Sequence, residues 1–316
     1  MFGSHLSISG GMVNALLEAE QLGLDTVQVF TKNQQQWKAP PLAEAAVKDW
    51  VGALKRLGWQ TRTVSHASYL INLASCDDEL FGKSVDLMTD EIERCEALSI
   101  PHLVHHPGSF VGWTREQGIA RIAAAYKELF KRTKGAKVIS CLEGVTGAGS
   151  QIGGPFEDLA GLRAAIIDAT GDAGRVGFCL DSCHLHAAGH DMSTLAAGTA
   201  TLKRFDEICG LKIVKVWHIN DSKGALGSKL DRHDHIGMGH VGGSPVKHVK
   251  PGKKAEGSFS SKRLADSGFA AIVQHPAFGE VPKIMETPKE DAKAAKGMAV
   301  SKRADSVNLK RLRGLL

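Results

Sequence analysis

The stretch RVGFCLD at residues 175–181 is a short apolar run that ends in an aspartate, and the repetition of such runs decides the fold. Runs of this kind alternate along the chain with longer amphipathic stretches, and each ends in a polar or glycine-containing loop. Eight runs are predicted strands: GSHLSIS (3–9), DTVQVFT (25–31), TRTVSHA (61–67), HLVHHP (102–107), AKVISCLE (136–143), RVGFCLD (175–181), KIVKVWHIN (212–220) and PKIMET (282–287). Eight strand–helix units predict an α/β fold, a single (β/α)8 TIM barrel, which takes about 250 residues.

The stretches between these strands have helical patterns of apolar residues. They predict helices over residues 12–23, 42–58, 77–99 and 114–133, and Thr114 offers an N-terminal cap for the last.

We predict one barrel domain over residues 1–288 and a basic C-terminal extension over residues 289–316. The extension could bind DNA or act in targeting, but we expect a frayed basic helix. Within the barrel domain, residues 244–266 form a Lys/Ser/Gly-rich insertion.

The composition is that of a soluble globular protein, with 316 residues of which 43% are hydrophobic and 23% charged. No run approaches the roughly 18 apolar residues that span a membrane, and the start MFGSHLSISGG lacks the pattern of a signal peptide. We therefore expect a cytoplasmic protein with no membrane partner. The six cysteines form no CxxC pair, so we expect small buried residues in a reducing compartment, without disulfides or a thiolate zinc site.

The net charge of +5 is unevenly distributed. Residues 244–266 carry six basic residues against two acidic ones, and residues 289–316 carry eight against three. The rest of the chain is therefore net acidic. Basic segments can bind polyanions, while an acidic body can hold metal cations.

Nine imidazole and carboxylate side chains follow the predicted strands at the ends that face one mouth of the barrel, where active sites of this fold lie. They are His66, His106, Glu143, Asp181, His184, His218, Asp231, His233 and Glu286. Taken singly, each histidine is more often an ordinary hydrogen-bonded residue, but their convergence favours ligands. Four carboxylates in one mouth would repel unless neutralised.

Imidazole and carboxylate without thiolate suit zinc, manganese or iron. Nine donors are too many for one ion, so we predict two or three ions with a carboxylate bridging a pair, an arrangement typical of phosphoryl transfer.

The stretch DRHDHIGMGH at residues 231–240 supplies two of these donors. Asp231 and His233 stand two apart in an extended loop, so both can reach one metal when Arg232 turns aside. We expect His235 and His240 to bond to neighbouring groups rather than to bind metal.

These residues, in this order, resemble the endonuclease IV family of apurinic/apyrimidinic (AP) DNA-repair endonucleases. The matching segments cover almost the whole chain outside residues 244–266 and the tail. They are GSHLSISGG, FTKNQQQWKAPPL, HASYLINLAS, HHPGS, LEGVTGAGSQIG, GFCLDSCHLHAAGHD, HINDSKGALGSKLDRHDHIGMGHVGG and METP. The resemblance implies a hydrolase with three zinc ions that cleaves duplex DNA 5′ to an abasic site and removes 3′ blocking groups. It also implies a monomer that associates with the nucleoid through DNA.

The resemblance further implies a role for each donor. One zinc would bind His66, His106 and Glu143; a second, Glu143, Asp181, His218 and Glu286; a third, His184, Asp231 and His233. Manganese is an alternative at one or more sites. Glu143 and Glu286 would be catalytic, with Glu286 orienting or deprotonating the attacking water.

On the DNA side, Tyr69 and Leu70 resemble the family's wedge into the base stack, and Lys32, Asn33 and Gln36 its second DNA-contacting loop. Gln35 stands where the family often has an inserting arginine. Arg232, in the loop of the third zinc, is a further candidate DNA contact.

Other departures are Met238 in place of a usual glutamate, and His186 and His190 in place of common aromatic residues. The insertion could add phosphate contacts or be a solvated loop.

Two other functions fit parts of this pattern. A sugar isomerase or epimerase of a related barrel would use one or two metals at the same rim, but has no use for the cluster at residues 231–233. A DNA-binding protein without catalysis would have no need of nine intact donors.

Overall fold

The computed structural model describes residues 1–243, 259–290 and 297–316, which form a closed barrel of eight parallel strands. The eight barrel strands are β1 (Phe2–His5), β2 (Thr26–Val29), β3 (Val64–His66), β4 (His102–His105), β5 (Ile139–Glu143), β6 (Val176–Asp181), β7 (Val214–His218) and β10 (Lys283–Met285); two short strands outside the barrel are β8 (Asp221–Ser222) and β9 (His233–Asp234). Strands β1 to β7 follow one another around the barrel, and β10 closes it between β7 and β1. The predicted (β/α)8 barrel is confirmed, with all eight predicted strands present. Strands β8 and β9 form a separate antiparallel pair above β7.

Helices connect the barrel strands. The structure describes α1 (Val13–Gln21), α2 (Glu44–Leu57), α3 (Asp78–Ala97), α4 (Arg115–Arg132), α5 (Phe156–Thr170), α6 (Ser182–Ala188), α7 (Leu195–Ile208), α8 (Ser261–Ala265), α9 (Gly268–Val273) and α10 (Ala304–Arg313). The predicted cap of α4 is present, because the Thr114 hydroxyl accepts from Gln117 N at 3.3 Å and the Gln117 side chain accepts from Thr114 N. Among the described helices, none is both long and apolar enough to cross a membrane.

The barrel interior is filled by small and β-branched side chains from six neighbouring strands, β3 to β7 and β10: Val64, Val104, Cys141, Cys179, Val216 and Ile284. A larger core lies between the barrel and its helices. Five of the cysteines are buried as predicted, but the expectation is wrong for Cys76, which is exposed in the loop before α3.

The end of the chain packs onto the barrel instead of fraying. Leu309 and Leu312 of α10 are buried, and Asp305 accepts a hydrogen bond from the β1 residue Ser4 at 2.7 Å. Asn308 accepts from Ile236 N at 3.1 Å and so ties α10 to the loop after β9. Burial of one apolar face supplies the stability that a basic helix lacks on its own.

Of the basic insertion predicted at residues 244–266, residues 244–258 lie outside the described residues. Its described end contains α8, which is capped by Ser260.

Candidate metal centre

The nine predicted donors meet at the carboxyl-terminal mouth of the barrel. Glu143, Asp181 and His218 are the last residues of β5, β6 and β7, and Glu286 directly follows β10. Because parallel strands of a closed barrel end at one rim, side chains that are up to 220 residues apart in the chain lie side by side.

These donors form three clusters, within each of which the ligand atoms lie within 4.8 Å of one another. The first cluster is His66, His106 and Glu143; the second is Glu143, Asp181, His218 and Glu286; the third is His184, Asp231 and His233. They coincide with the three groups that the family resemblance implied.

Glu143 joins the first cluster to the second through different oxygens. Its Oε2 lies 3.2 Å from His66 Nε2 and 3.4 Å from His106 Nε2. Its Oε1 lies 2.9 Å from His218 Nδ1, and His218 Nδ1 is in turn 3.2 Å from Glu286 Oε2. A carboxylate with one oxygen in each cluster can bridge two cations.

Asp181 positions the third cluster through the local structure of the chain. Its Oδ1 caps α6 by accepting from Cys183 N at 2.6 Å and from His184 N at 3.0 Å. The cap fixes the first turn of α6, which carries His184, and leaves Asp181 Oδ2 at 3.5 Å from His233 Nε2.

Nearby carboxylates favour the protonated forms of two donor histidines, His218 and His184. Although burial alone would lower it, the pKa of His218 is raised to about 9 by Glu286 and Glu143. The pKa of His184 is likewise raised well above its usual value, against burial, by Asp181 and its neighbours. Burial would raise the pKa of Glu143, but His218 holds it well below the usual value. Since imidazole must be deprotonated to bind a metal, cations would replace these protons.

The third cluster has donors that the protein leaves without hydrogen-bond partners. His184 Nε2 and His233 Nε2 are both buried, and neither makes a hydrogen bond within the described residues. They lie 3.2 and 3.5 Å from the same oxygen of Asp231. Orphaned imidazole nitrogens that converge on one carboxylate oxygen fit a divalent cation.

Three residues that the sequence analysis did not select also contact the clusters. Asn220 donates to Asp181 Oδ2 and accepts from Glu286 N, both at 2.7 Å. Gln28 contacts His218 and Glu286, and His5 contacts Gln28. His5 is the last residue of β1, but it and Gln28 lie inside the predicted strands 3–9 and 25–31, so the rule that selected the nine donors passed over them.

Tyr69 stands at the rim of the first cluster. Its side chain is 56% exposed, and its ring centroid lies 5.0 Å from that of His66 and 5.6 Å from that of His106. Leu70 beside it is half-buried. A cavity of about 300 Å³ opens here and is also lined by Asn72, Ser109 and Gln151, which the sequence analysis did not select.

The loop after β2 lies next to the loop of Tyr69, because Ser68 Oγ donates to Gln34 O at 2.6 Å. Asn33, Gln35 and Gln36 are exposed on it. Arg232, in the loop of the third cluster, is exposed as well, and it donates to the carbonyl of Asp231.

The side chain of Lys32 is buried against α3, although the sequence predicted a DNA contact for it. Its side chain is only 3% exposed, forms an ion pair with Asp90 and lies 3.5 Å from Glu91 of α3. Glu91 also accepts from Thr31 Oγ1 at 2.9 Å and Ser68 N at 3.2 Å. The ammonium group of Lys32 thus neutralises the buried carboxylate of Glu91 and the partly exposed one of Asp90, and it fastens both loops to α3.

Comparisons with known proteins agree on the fold and on a group of relatives. The family model of xylose isomerase-like TIM barrels matches residues 16–249. The protein named probable endonuclease 4 from Chloroflexus aurantiacus is 37% identical over 315 residues, which cover 100% of this chain and 98% of the relative.

The crystal structure of endonuclease IV from Thermus thermophilus aligns with a TM-score of 0.77 at 29% identity, covering 99% of this chain and 98% of that one. A D-psicose 3-epimerase from Clostridium cellulolyticum aligns with a TM-score of 0.62 at 12% identity, over 99% of this chain and 98% of that one. This second likeness shows the fold alone.

Proposed function

The chain belongs to the endonuclease IV family of xylose isomerase-like TIM barrels, and we propose that it is a metal-dependent AP endonuclease of base excision repair. It would hydrolyse the phosphodiester 5′ to an abasic site in duplex DNA and remove 3′ blocking groups, acting as a monomer in the cytoplasm. The observation that carries the proposal is the convergence of nine donors in three clusters beside an exposed tyrosine at the barrel mouth.

We assign three Zn²⁺ ions to the three clusters, with Mn²⁺ an alternative at one or more of them. Bound cations would lower the pKa of water and neutralise charge on the phosphate and on the leaving 3′ oxygen. The positive charge of three divalent ions exceeds the negative charge of the four carboxylates by about two units, and this net positive charge favours binding of a phosphate at the barrel mouth.

The chain's own catalytic groups would be Glu143 and Glu286. Glu143 holds the first two clusters at a fixed spacing, because each of its oxygens faces a different cluster. The Oε1 of Glu286 accepts from Gln28 at 2.7 Å, which fixes the carboxylate while Oε2 faces His218 at the centre of the site. So placed, Glu286 would orient the attacking water and accept its proton.

The DNA would be recognised by the loops around this mouth. We propose that Tyr69 and Leu70 enter the base stack at the abasic nucleotide, and that Asn33, Gln35, Gln36 and Arg232 contact the flanking backbone. Lys32 supports these loops from within instead of contacting DNA, because its charge is already paired.

A sugar isomerase or epimerase activity has weaker support. The epimerase likeness is one of fold alone, at 12% identity. An epimerase also has no need of the third cluster or of a tyrosine that projects 56% exposed from the rim.

The test is cleavage of a duplex oligonucleotide with one tetrahydrofuran abasic analogue, with the metal content measured on the same samples. Wild type should cut 5′ to the lesion, and Glu143→Ala should lose both metal and cleavage. The matched control is Asp158→Ala, which removes a buried carboxylate paired with Arg115 outside the site and should keep both. Failure of a fully metallated wild type to cut would refute the proposal and direct attention to sugar substrates.

A further inference from the structure

Gln28 is a buried glutamine at the mouth end of β2 whose side-chain amide contacts three other side chains. Its Nε2 lies 2.7 Å from Glu286 Oε1 and 2.9 Å from His5 Nδ1. Its Oε1 lies 2.8 Å from His218 Nε2. Glu286 and His218 belong to the second cluster, while Gln28 and His5 lie behind it.

The chemistry of these partners leaves one orientation for the amide. An ionised carboxylate only accepts hydrogen bonds, so the group that faces Glu286 must be the amide NH2. The second N–H of that NH2 is then donated to His5 Nδ1. The amide oxygen is left to face His218 and can only accept, so His218 Nε2 must carry a proton.

This orientation decides which atoms the second cluster offers to a cation. With Nε2 protonated and bonded to Gln28, only His218 Nδ1 can offer a lone pair, and it lies 2.9 Å from Glu143 Oε1 and 3.2 Å from Glu286 Oε2. With Oε1 of Glu286 bonded to Gln28, Oε2 is the oxygen that turns to the cluster.

We propose that Gln28 is a positioning residue that fixes the tautomer of His218 and the rotation of the Glu286 carboxylate. Partners of this kind, behind a ligand, affect metal affinity by about 10- to 100-fold. The inference rests on the metal centre of the proposed function, but it concerns metal binding and can be judged without DNA.

The experiment compares wild type with Gln28→Met, which keeps the length of the side chain but has no amide. The matched control is Thr26→Val on the same strand, which removes a buried hydroxyl that donates to Arg62 O at 2.6 Å away from the clusters. Zinc retained at graded chelator concentrations is measured by native mass spectrometry, and folding by thermal melting.

We expect Gln28→Met to melt close to Thr26→Val but to lose the most weakly held zinc at about 10- to 100-fold less chelator. On abasic DNA, kcat should fall with little change in KM, because Gln28 is buried and does not reach the DNA. Retention of zinc within twofold of wild type would overturn the proposal.

A second measurement covers the case in which Gln28→Met fails to fold. In the zinc-loaded wild type, imidazole ¹⁵N spectra should show a protonated His218 Nε2 with a nuclear Overhauser contact to the Gln28 side chain. A His218 protonated at Nδ1 instead would overturn the proposal. If Gln28→Met loses zinc as expected but wild type does not cut abasic DNA, the proposed function is refuted while the role of Gln28 remains supported.

Discussion

Asp221 anchors the loop that carries Asp231 and His233, so its removal should release the third cluster. Its carboxylate is completely buried at the start of β8. It accepts hydrogen bonds from the backbone N–H groups of Gly237 at 2.9 Å, Val241 at 2.8 Å and Gly242 at 3.2 Å. These donors follow the ligands in the same loop, so one carboxylate holds the far side of it.

The loss of stability in Asp221→Ala can be estimated from the backbone N–H donors that the substitution leaves unpaired. In Asp221→Ala, four buried N–H groups, those of Gly237, Val241, Gly242 and the neighbouring Ser222, lose their acceptor. Each loss costs about 1–3 kcal/mol, and water entering the void recovers part of this. We expect a loss of about 3–6 kcal/mol in the free energy of unfolding. The unfolding entropy of a chain of this length is about 0.7 kcal/mol/K, so the melting temperature should fall by about 5–9 °C.

The assay is calorimetric melting at pH 8, combined with metal stoichiometry by native mass spectrometry. The pH is chosen because burial raises the pKa of Asp221 to about 6, so the wild-type carboxylate is ionised there. Asp221→Ala should hold metal at the third cluster more weakly while the first and second clusters retain theirs.

Two variants calibrate this result. Asp221→Asn keeps one acceptor oxygen and should lose only about 1–3 kcal/mol. Asp234→Asn makes the same charge change in the same loop. It should behave as wild type, because among residues 1–243, 259–290 and 297–316 the Asp234 carboxylate accepts only from the neighbouring His235 N. The reasoning is refuted if Asp221→Ala melts within 2 °C of wild type and holds the same metals with the same affinity.

Three further predictions concern acid stability, packing and DNA. Burial lowers the pKa of His102 to about 4, below the unfolded value of about 6.5, so the unfolded chain takes up its proton first. Stability is therefore lost as the pH falls through this window, by about 2–3 kcal/mol at pH 4.5. Urea titrations should show a flatter dependence of stability on pH for His102→Leu than for wild type, and an unchanged dependence would exclude this cause. A Cβ at Gly198 would lie 2.8 Å from a backbone carbon of α9, whereas one at Gly161 meets nothing within 4 Å. Gly198→Ala should therefore lower the free energy of unfolding by about 1–3 kcal/mol, and Gly161→Ala should raise it by up to about 1 kcal/mol. Equal melting temperatures of the two variants would contradict the packing argument. Tyr69→Ala should weaken binding of abasic duplex DNA about 5- to 100-fold, whereas Tyr69→Phe should bind within about threefold of wild type, because stacking needs only the ring. Equal dissociation constants for wild type and both variants would rule out insertion of Tyr69 into the base stack.

The family, the barrel and its eight strands were predictable from local patterns. Short apolar runs that end in polar loops identify strands whatever their neighbours are, and the first turn after a strand identifies the mouth of a parallel barrel. Residues such as Glu143, Asp181 and His218 could therefore be placed at one rim, because they end their strands.

Other features depend on which distant side chains meet, and no local pattern contains that information. Lys32 looks like a free cation in an exposed loop, but α3 brings Asp90 and Glu91 against it. The tail looks like a frayed basic helix, but Leu309 and Leu312 find an apolar surface on the barrel.

The sequence by itself determined the fold, the rim and the nine donors, because strand periodicity and the chemistry of each side chain are local properties. Only the tertiary structure decided that Gln28 orients His218 and Glu286, and that Asp221 holds the loop of the third cluster. Hydrogen bonds between residues far apart in the chain exist only once the barrel has closed and its loops have packed. Their partners are therefore set by three-dimensional distance, which the order of residues does not state.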